Sequence, residues 1–91
     1  MPVARLVITG RVQGVGYRAW AIATARRLKL RGWVRNRSDG AVEALVAGPE
    51  EAVAAMVAAC RRGPAAARVV AVEVDDGEED GSIGFTARPT A

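Results

Sequence analysis

Trp33-Val34-Arg35-Asn36-Arg37-Ser38-Asp39-Gly40-Ala41-Val42-Glu43-Ala44-Leu45-Val46-Ala47 occupies the middle of a 91-residue chain and decides how the rest is arranged. Two strand-like runs, 33–37 and 41–47, flank Ser38-Asp39-Gly40. Asp-Gly between two such runs signals a hairpin, because those residues tolerate positive φ. On the N-terminal side, Tyr17, Trp20, Ala21, Ala25 and Leu28 recur at three and four residues, which predicts a helix from about Tyr17 to Leu30. Gly32 is expected to end it. On the C-terminal side, Gly48-Pro49-Glu50-Glu51 opens a second helix. Proline suits a first turn that needs no amide partner, and the glutamates face the positive end of the helix dipole. Val53, Met56, Val57 and Cys60 form its apolar stripe, and Gly63-Pro64 stops it.

Further out, residues 3–9 read as a strand with Ala4, Leu6 and Ile8 on one face. Arg68 to Val74 reads as another, Asp75 to Gly81 as a solvated acidic connector, and Ile83 to Arg88 as a short edge strand. The order is β-α-β-β-α-β plus a C-terminal strand. Two helices on one face of an antiparallel sheet make an α+β, ferredoxin-like split βαβ fold. The length suits a single domain over residues 1–91. That fold hosts enzymes, RNA binders and regulatory modules alike, so it decides nothing about function.

Composition narrows the chemistry. Apolar residues are 51% and charged residues 25%, a globular balance that argues against disorder. The longest apolar run, Ala52 to Cys60, is far short of the ~20 residues of a membrane span. Met1-Pro2-Val3-Ala4-Arg5 carries no secretory apolar core or cleavage site, so a cytoplasmic location is expected. The chain has no histidine, which excludes Ser-His-Asp and Cys-His catalysis and His-containing zinc sites. Cys60 is the lone cysteine and reads as a small buried hydrophobe. Residues 1–48 hold nine basic groups against two acidic ones, whereas residues 49–91 hold four against eight. The basic half suggests an anionic ligand. Against that, Arg26, Arg27 and Lys29 read as a solvated helix face.

Two segments carry candidate chemistry. Gly10-Arg11-Val12-Gln13-Gly14-Val15-Gly16-Tyr17-Arg18 joins a strand to a helix N-terminus. Such a junction offers unpaired amides and the positive end of a dipole, and glycines let the backbone approach a ligand. Phosphate is the usual occupant, and Arg18 adds a guanidinium suited to bidentate binding. No Gly-Lys-Ser/Thr follows, and the glycine spacing fits no dinucleotide fingerprint. A purely structural turn stays open beside the phosphate cradle. Asn36, at a strand end, presents an amide that both donates to and accepts from water, and it equally suits a structural role before a turn.

Taken together, the two segments resemble acylphosphatases. Residues 10–18 are similar to that family's first signature almost position for position, with Tyr17 where phenylalanine is commoner. Gly32-Trp33-Val34-Arg35-Asn36, Asp39-Gly40, Val42-Glu43 and Gly48 resemble the second, and Gly63-Pro64 and Phe85 also fall in place. The resemblance implies hydrolysis of a carboxyl–phosphate anhydride to carboxylate and phosphate. It implies that Arg18 binds the substrate phosphate, that amides of Gln13, Gly14, Val15, Gly16, Tyr17 and Arg18 cradle it, and that Asn36 orients the attacking water. It also implies that the substrate's own phosphate accepts the water proton, with no metal and no cofactor. The expected partners are a small acyl phosphate and inorganic phosphate as product and inhibitor, with no nucleic acid and no membrane, on a monomer. An RNA-binding sheet would need exposed aromatics on its central strands, and the first and third strands have none. The remaining alternative is a non-catalytic anion-binding or regulatory module on the same fold.

Overall fold

A computed structural model describes residues 3–91; Met1 and Pro2, part of the N-terminal stretch read above, lie outside them. The elements are β1 (Val3–Arg11), α1 (Tyr17–Arg27), β2 (Arg31–Asn36), β3 (Val42–Ala47), α2 (Glu50–Arg62), β4 (Arg68–Asp76) and β5 (Phe85–Ala87). The sheet order is β4-β1-β3-β2-β5. The β2–β3 hairpin pairs Arg31 with Ala47 through Asn36 with Val42. β1 lies beside β3, so the β1-α1-β2 crossover straddles β3. Leu6, Ile8, Val34, Val42 and Val46 on one sheet face pack against Tyr17, Ala21 and Ala25 of α1 and Val53, Met56 and Cys60 of α2. This single core fixes both helices on the same face. No helix among the described residues is long and apolar enough to cross a membrane.

The structure departs from the sequence expectations in three places. The sheet is mixed rather than wholly antiparallel, because β5 runs parallel to β2, with Gly32 opposite Phe85 and Val34 opposite Ala87. The chain stays along β2 beyond β5, where Arg88 N–H donates to Val34 O and Ala91 N–H to Asn36 O. Next, α1 ends at Arg27, before Gly32. Lys29 takes the left-handed conformation at φ 58°, its amide bonds Arg26 O and the Leu30 amide bonds Ala25 O. That is the two-bond C-terminal cap usually given to glycine. Gly32 is needed inside β2 instead: its φ is 138°, and a Cβ there would sit 1.8 Å from Leu45 O.

The third departure is the acidic connector, which is anchored rather than simply solvated. Trp33 Nε1 donates to Asp80 Oδ2 at 3.0 Å, Arg31 grips both oxygens of Glu79 at 2.7 and 3.1 Å, and Gly77 N–H bonds Val3 O. The guanidinium carbons of Arg35 and Arg88 lie 4.7 and 5.1 Å from the Trp33 ring centre. The connector thereby covers part of the sheet face that the helices leave open.

Glu43, 2% exposed, sits on that same face between two arginines. Arg35 Nε and Nη2 approach Oε1 at 2.8 and 2.7 Å, and Arg5 grips Oε2 through Nε at 2.6 Å and through a second ion-pair contact. Burial alone would push its carboxyl pKa up; the hydrogen bonds and charges of Arg35 and Arg5 outweigh that and hold it below the ordinary value. A depressed carboxylate contributes stability above its unfolded pKa and loses it as pH falls through the folded one. Glu43→Gln is therefore expected to cost most stability at neutral pH. The gap from wild type should shrink below about pH 4.3, the ordinary glutamate value. Urea unfolding between pH 7 and pH 3 measures it; a gap independent of pH would contradict the clamp.

Candidate active site

The strand-to-helix junction is built by backbone geometry. Pairing between β1 and β4 slips at Thr9/Gly10, and Gly10 stands at φ 121°, where a Cβ would lie 2.2 Å from Arg68 O. The extra residue, Val70, lies in β4, so it is β4 that bends there, while β1 stays paired through Gly10 and Arg11. Gly14 and Gly16 follow at φ 73° and 79°, a region that L side chains reach only with strain. Gly16 caps α1 without a side-chain hydrogen bond. The Trp20 amide is the first to bond back, to Gly16 O at 3.0 Å, and the amides of residues 13–19 find no acceptor among the described residues.

Charge at this end is equally uncompensated. α2 begins with Glu50 and Glu51, as its dipole favours, whereas α1 has no acid in its first turn and carries Arg18 there. A cation at the positive end of a helix is unfavourable by about 0.3–1 kcal/mol. Arg18 is exposed and makes no ion pair or hydrogen bond among the described residues. Free amides, a helix N-terminus and a free guanidinium converge on the same need for an anion.

Val12, Gly14, Gly16, Arg18 and Asn36 line one cleft of about 340 Å³. The topology explains the meeting: β2 lies beneath α1, and Asn36 is its last residue. Asn36 is half-buried, its main-chain oxygen accepts from Ala91, and its side-chain amide has no partner among the described residues. The lining residues include no carboxylate. Asp39 is held by Arg37 at 2.7 Å and by the Ala41 amide at 3.0 Å, and Glu43 is clamped on the other sheet face.

Gln13 and Val15 do not line this cleft. The Gln13 carboxamide donates to Arg37 O at 2.8 Å and to Ala41 O at 2.9 Å, tying the loop to the β2–β3 hairpin. Val15 packs against the core. Tyr17 lines the cleft but sends its hydroxyl to Cys60 O on α2 at 2.8 Å, and burial, then Cys60, pushes its phenol well above the ordinary range. It fixes the first turn of α1 to the core. Cys60 itself is buried, which pushes its thiol up. Ala19, Ile22 and Ala87 also line the cleft and were not singled out in the sequence. Ile22 stands one turn beyond Arg18, a spacing that signals a shared helix face. Ala87 carried no signal, since its place depends on the parallel β5 pairing.

A profile of the acylphosphatase family matches residues 4–87. The chain belongs to the acylphosphatase family. The acylphosphatase of Nitrobacter hamburgensis is 66% identical over 71 residues, covering 78% of this chain and 72% of that one. That of Acidiphilium cryptum is 50% identical over 90 residues, 99% of each chain. The crystal structure of acylphosphatase from Bacillus subtilis matches with a TM-score of 0.93 at 38% identity, over 97% of this chain and 99% of that one. The chain's reaction is accordingly hydrolysis of acyl phosphates.

For an acylphosphatase the loop must hold its shape while its amides stay free, and Gln13 is the side chain that holds it to the hairpin. Gln13→Ala removes two hydrogen bonds, although each carbonyl keeps a backbone donor, Gly40 N–H for Arg37 O and Arg37 N–H for Ala41 O. The expected cost is about 1–2 kcal/mol of stability and about tenfold in kcat/KM, from misplacement rather than lost chemistry. Chemical denaturation and steady-state kinetics on the same preparation check both. Unchanged kinetics would show that the loop needs no such tether.

Proposed function

We infer that Arg18 and the backbone amides of residues 13–18 hold the phosphate of a small acyl phosphate, and that Asn36 orients the water that attacks it. The observation that carries this reading is the single cleft in which the free Arg18 guanidinium, the glycine loop and the unpartnered Asn36 amide meet. Water attacks phosphorus, the bond from phosphorus to the acyl oxygen breaks, and the carboxylate leaves with the electron pair. One water proton passes to a phosphate oxygen of the substrate, which accords with a cleft wall free of carboxylates. Phosphoryl transfer of this kind asks mainly for positioning and charge stabilisation. Amide donors and Arg18 supply both, and losing one such donor costs about 10²–10³ in rate. The chemistry asks for no metal and no other cofactor. Inorganic phosphate, as product, competes for the same cradle. We further assign the reaction to a monomer in the cytoplasm; a lone buried thiol suits a reducing compartment.

Kinetic signatures separate the two side chains. Arg18→Ala is expected to lose substrate affinity, phosphate inhibition and turnover together, and Arg18→Lys to rescue poorly, because a point charge does not replace a planar fork. Asn36→Ala is expected to lower kcat by about 10²-fold or more with phosphate affinity kept. Hydrolysis in ¹⁸O-water should place the label in phosphate. Near-wild-type turnover by folded Arg18→Ala, undiminished kcat in Asn36→Ala, or label in the carboxylate would each refute the assignment.

A further inference from the structure

The cleft extends past the phosphate cradle, and its far wall is carbon. Ala19 and Ile22 line it from α1, and Ala87 lines it from the end of β5. Ile22 follows Arg18 by one helical turn, so the two share a helix face. One turn further on, Arg26 Nε donates to Phe85 O at 3.2 Å and fixes α1 against β5, which sets the spacing of this wall. Ile22 is half-buried, and Ala19 and Ala87 are exposed toward the cleft. Arg18 is the one charged residue of the lining. Neighbouring cations are engaged elsewhere, Arg37 with Asp39 and Arg88 with Asp80.

We propose that Ile22, Ala19 and Ala87 form the acyl subsite, and that it selects apolar acyl groups over acyl groups carrying a second carboxylate. This rests on phosphate being held by Arg18 and the loop amides, since that anchoring directs the acyl end along the cleft toward these residues. An aromatic or alkyl group placed there removes apolar surface from water on both sides of the contact. A second carboxylate would lose hydration there and gain no partner, because Arg18 is already taken by phosphate. One small apolar contact discriminates by about tenfold or somewhat more in kcat/KM. The half-open wall belongs at the low end of that range.

The test compares kcat/KM for benzoyl, acetyl and succinyl phosphate in wild type, Ile22→Ala and Ile22→Lys, with the inhibition constant of inorganic phosphate measured in each. Wild type is expected to favour benzoyl over acetyl phosphate by about tenfold and to disfavour succinyl phosphate. Ile22→Ala should reduce the benzoyl-to-acetyl ratio severalfold with phosphate inhibition unchanged, and Ile22→Lys should raise the succinyl-to-acetyl ratio. Ratios taken on one preparation cancel any loss of folded protein. If both Ile22 variants fail to fold, Ala87→Lys on the exposed edge strand must raise the succinyl-to-acetyl ratio. Ratios that stay at wild-type values in the folded variants would overturn the subsite and leave the phosphate cradle standing. Failure of wild type to release phosphate from any of the three would overturn the hydrolase reading itself.

Discussion

The site depends on backbone amides that the chain leaves without acceptors at the start of α1. Elsewhere the protein compensates such ends: α2 sets two glutamates against its dipole, although its first amides bond no capping side chain, and α1 closes at Lys29 and Leu30 with two carbonyl bonds. Residues 13–19 receive nothing comparable, and Arg18 adds positive charge where the dipole already supplies it. Such an arrangement persists only if other contacts hold the loop. Gly10 lets β1 run close against β4 up to the loop, Gln13 ties the loop to the hairpin, and Tyr17 anchors the first turn to α2. The energy that keeps the cradle open comes from the core, and the cradle's own donors stay available to a ligand.

The two faces of the sheet divide the work. The helix-covered face buries the apolar core and brings α1 over the end of β2, where Asn36 sits. The opposite face gathers the charged pairs, with Glu43 between Arg5 and Arg35 and Trp33 tied to Asp80. Ionisable groups that interact strongly are thereby kept away from the cleft. Catalysis there rests on fixed donors rather than on a titrating base, a workable design because an acyl phosphate carries a good leaving group and needs mainly charge stabilisation.

Much of this was legible in the sequence. The alternation of Ala4, Leu6 and Ile8, the helical spacing from Tyr17, and Asp39-Gly40 between two strands are local signals, and each element formed where its pattern lay. The Gly10–Arg18 segment announced an anion site in general terms, but only its resemblance to a family, together with Asn36, singled out a reaction. What escaped was non-local. Lys29 in place of Gly32 as the helix terminator depends on a backbone conformation that composition disfavours. The parallel pairing of β5, and with it Ala87 in the cleft, depends on Phe85 and Leu45 both approaching Gly32. The anchoring of Glu79 and Asp80 depends on arginines and a tryptophan some fifty positions away in sequence or across the sheet, which no local pattern announces.

The most direct measurement is a titration of ¹⁵N-labelled protein with inorganic phosphate, followed by the amide spectrum. The expected result is saturable shifts concentrated at the backbone amides of residues 13–18, with the Arg18 side chain and the Asn36 carboxamide moving at the same phosphate concentration. Shifts of comparable size scattered over the surface arginines, with those loop amides unmoved, would contradict the cradle.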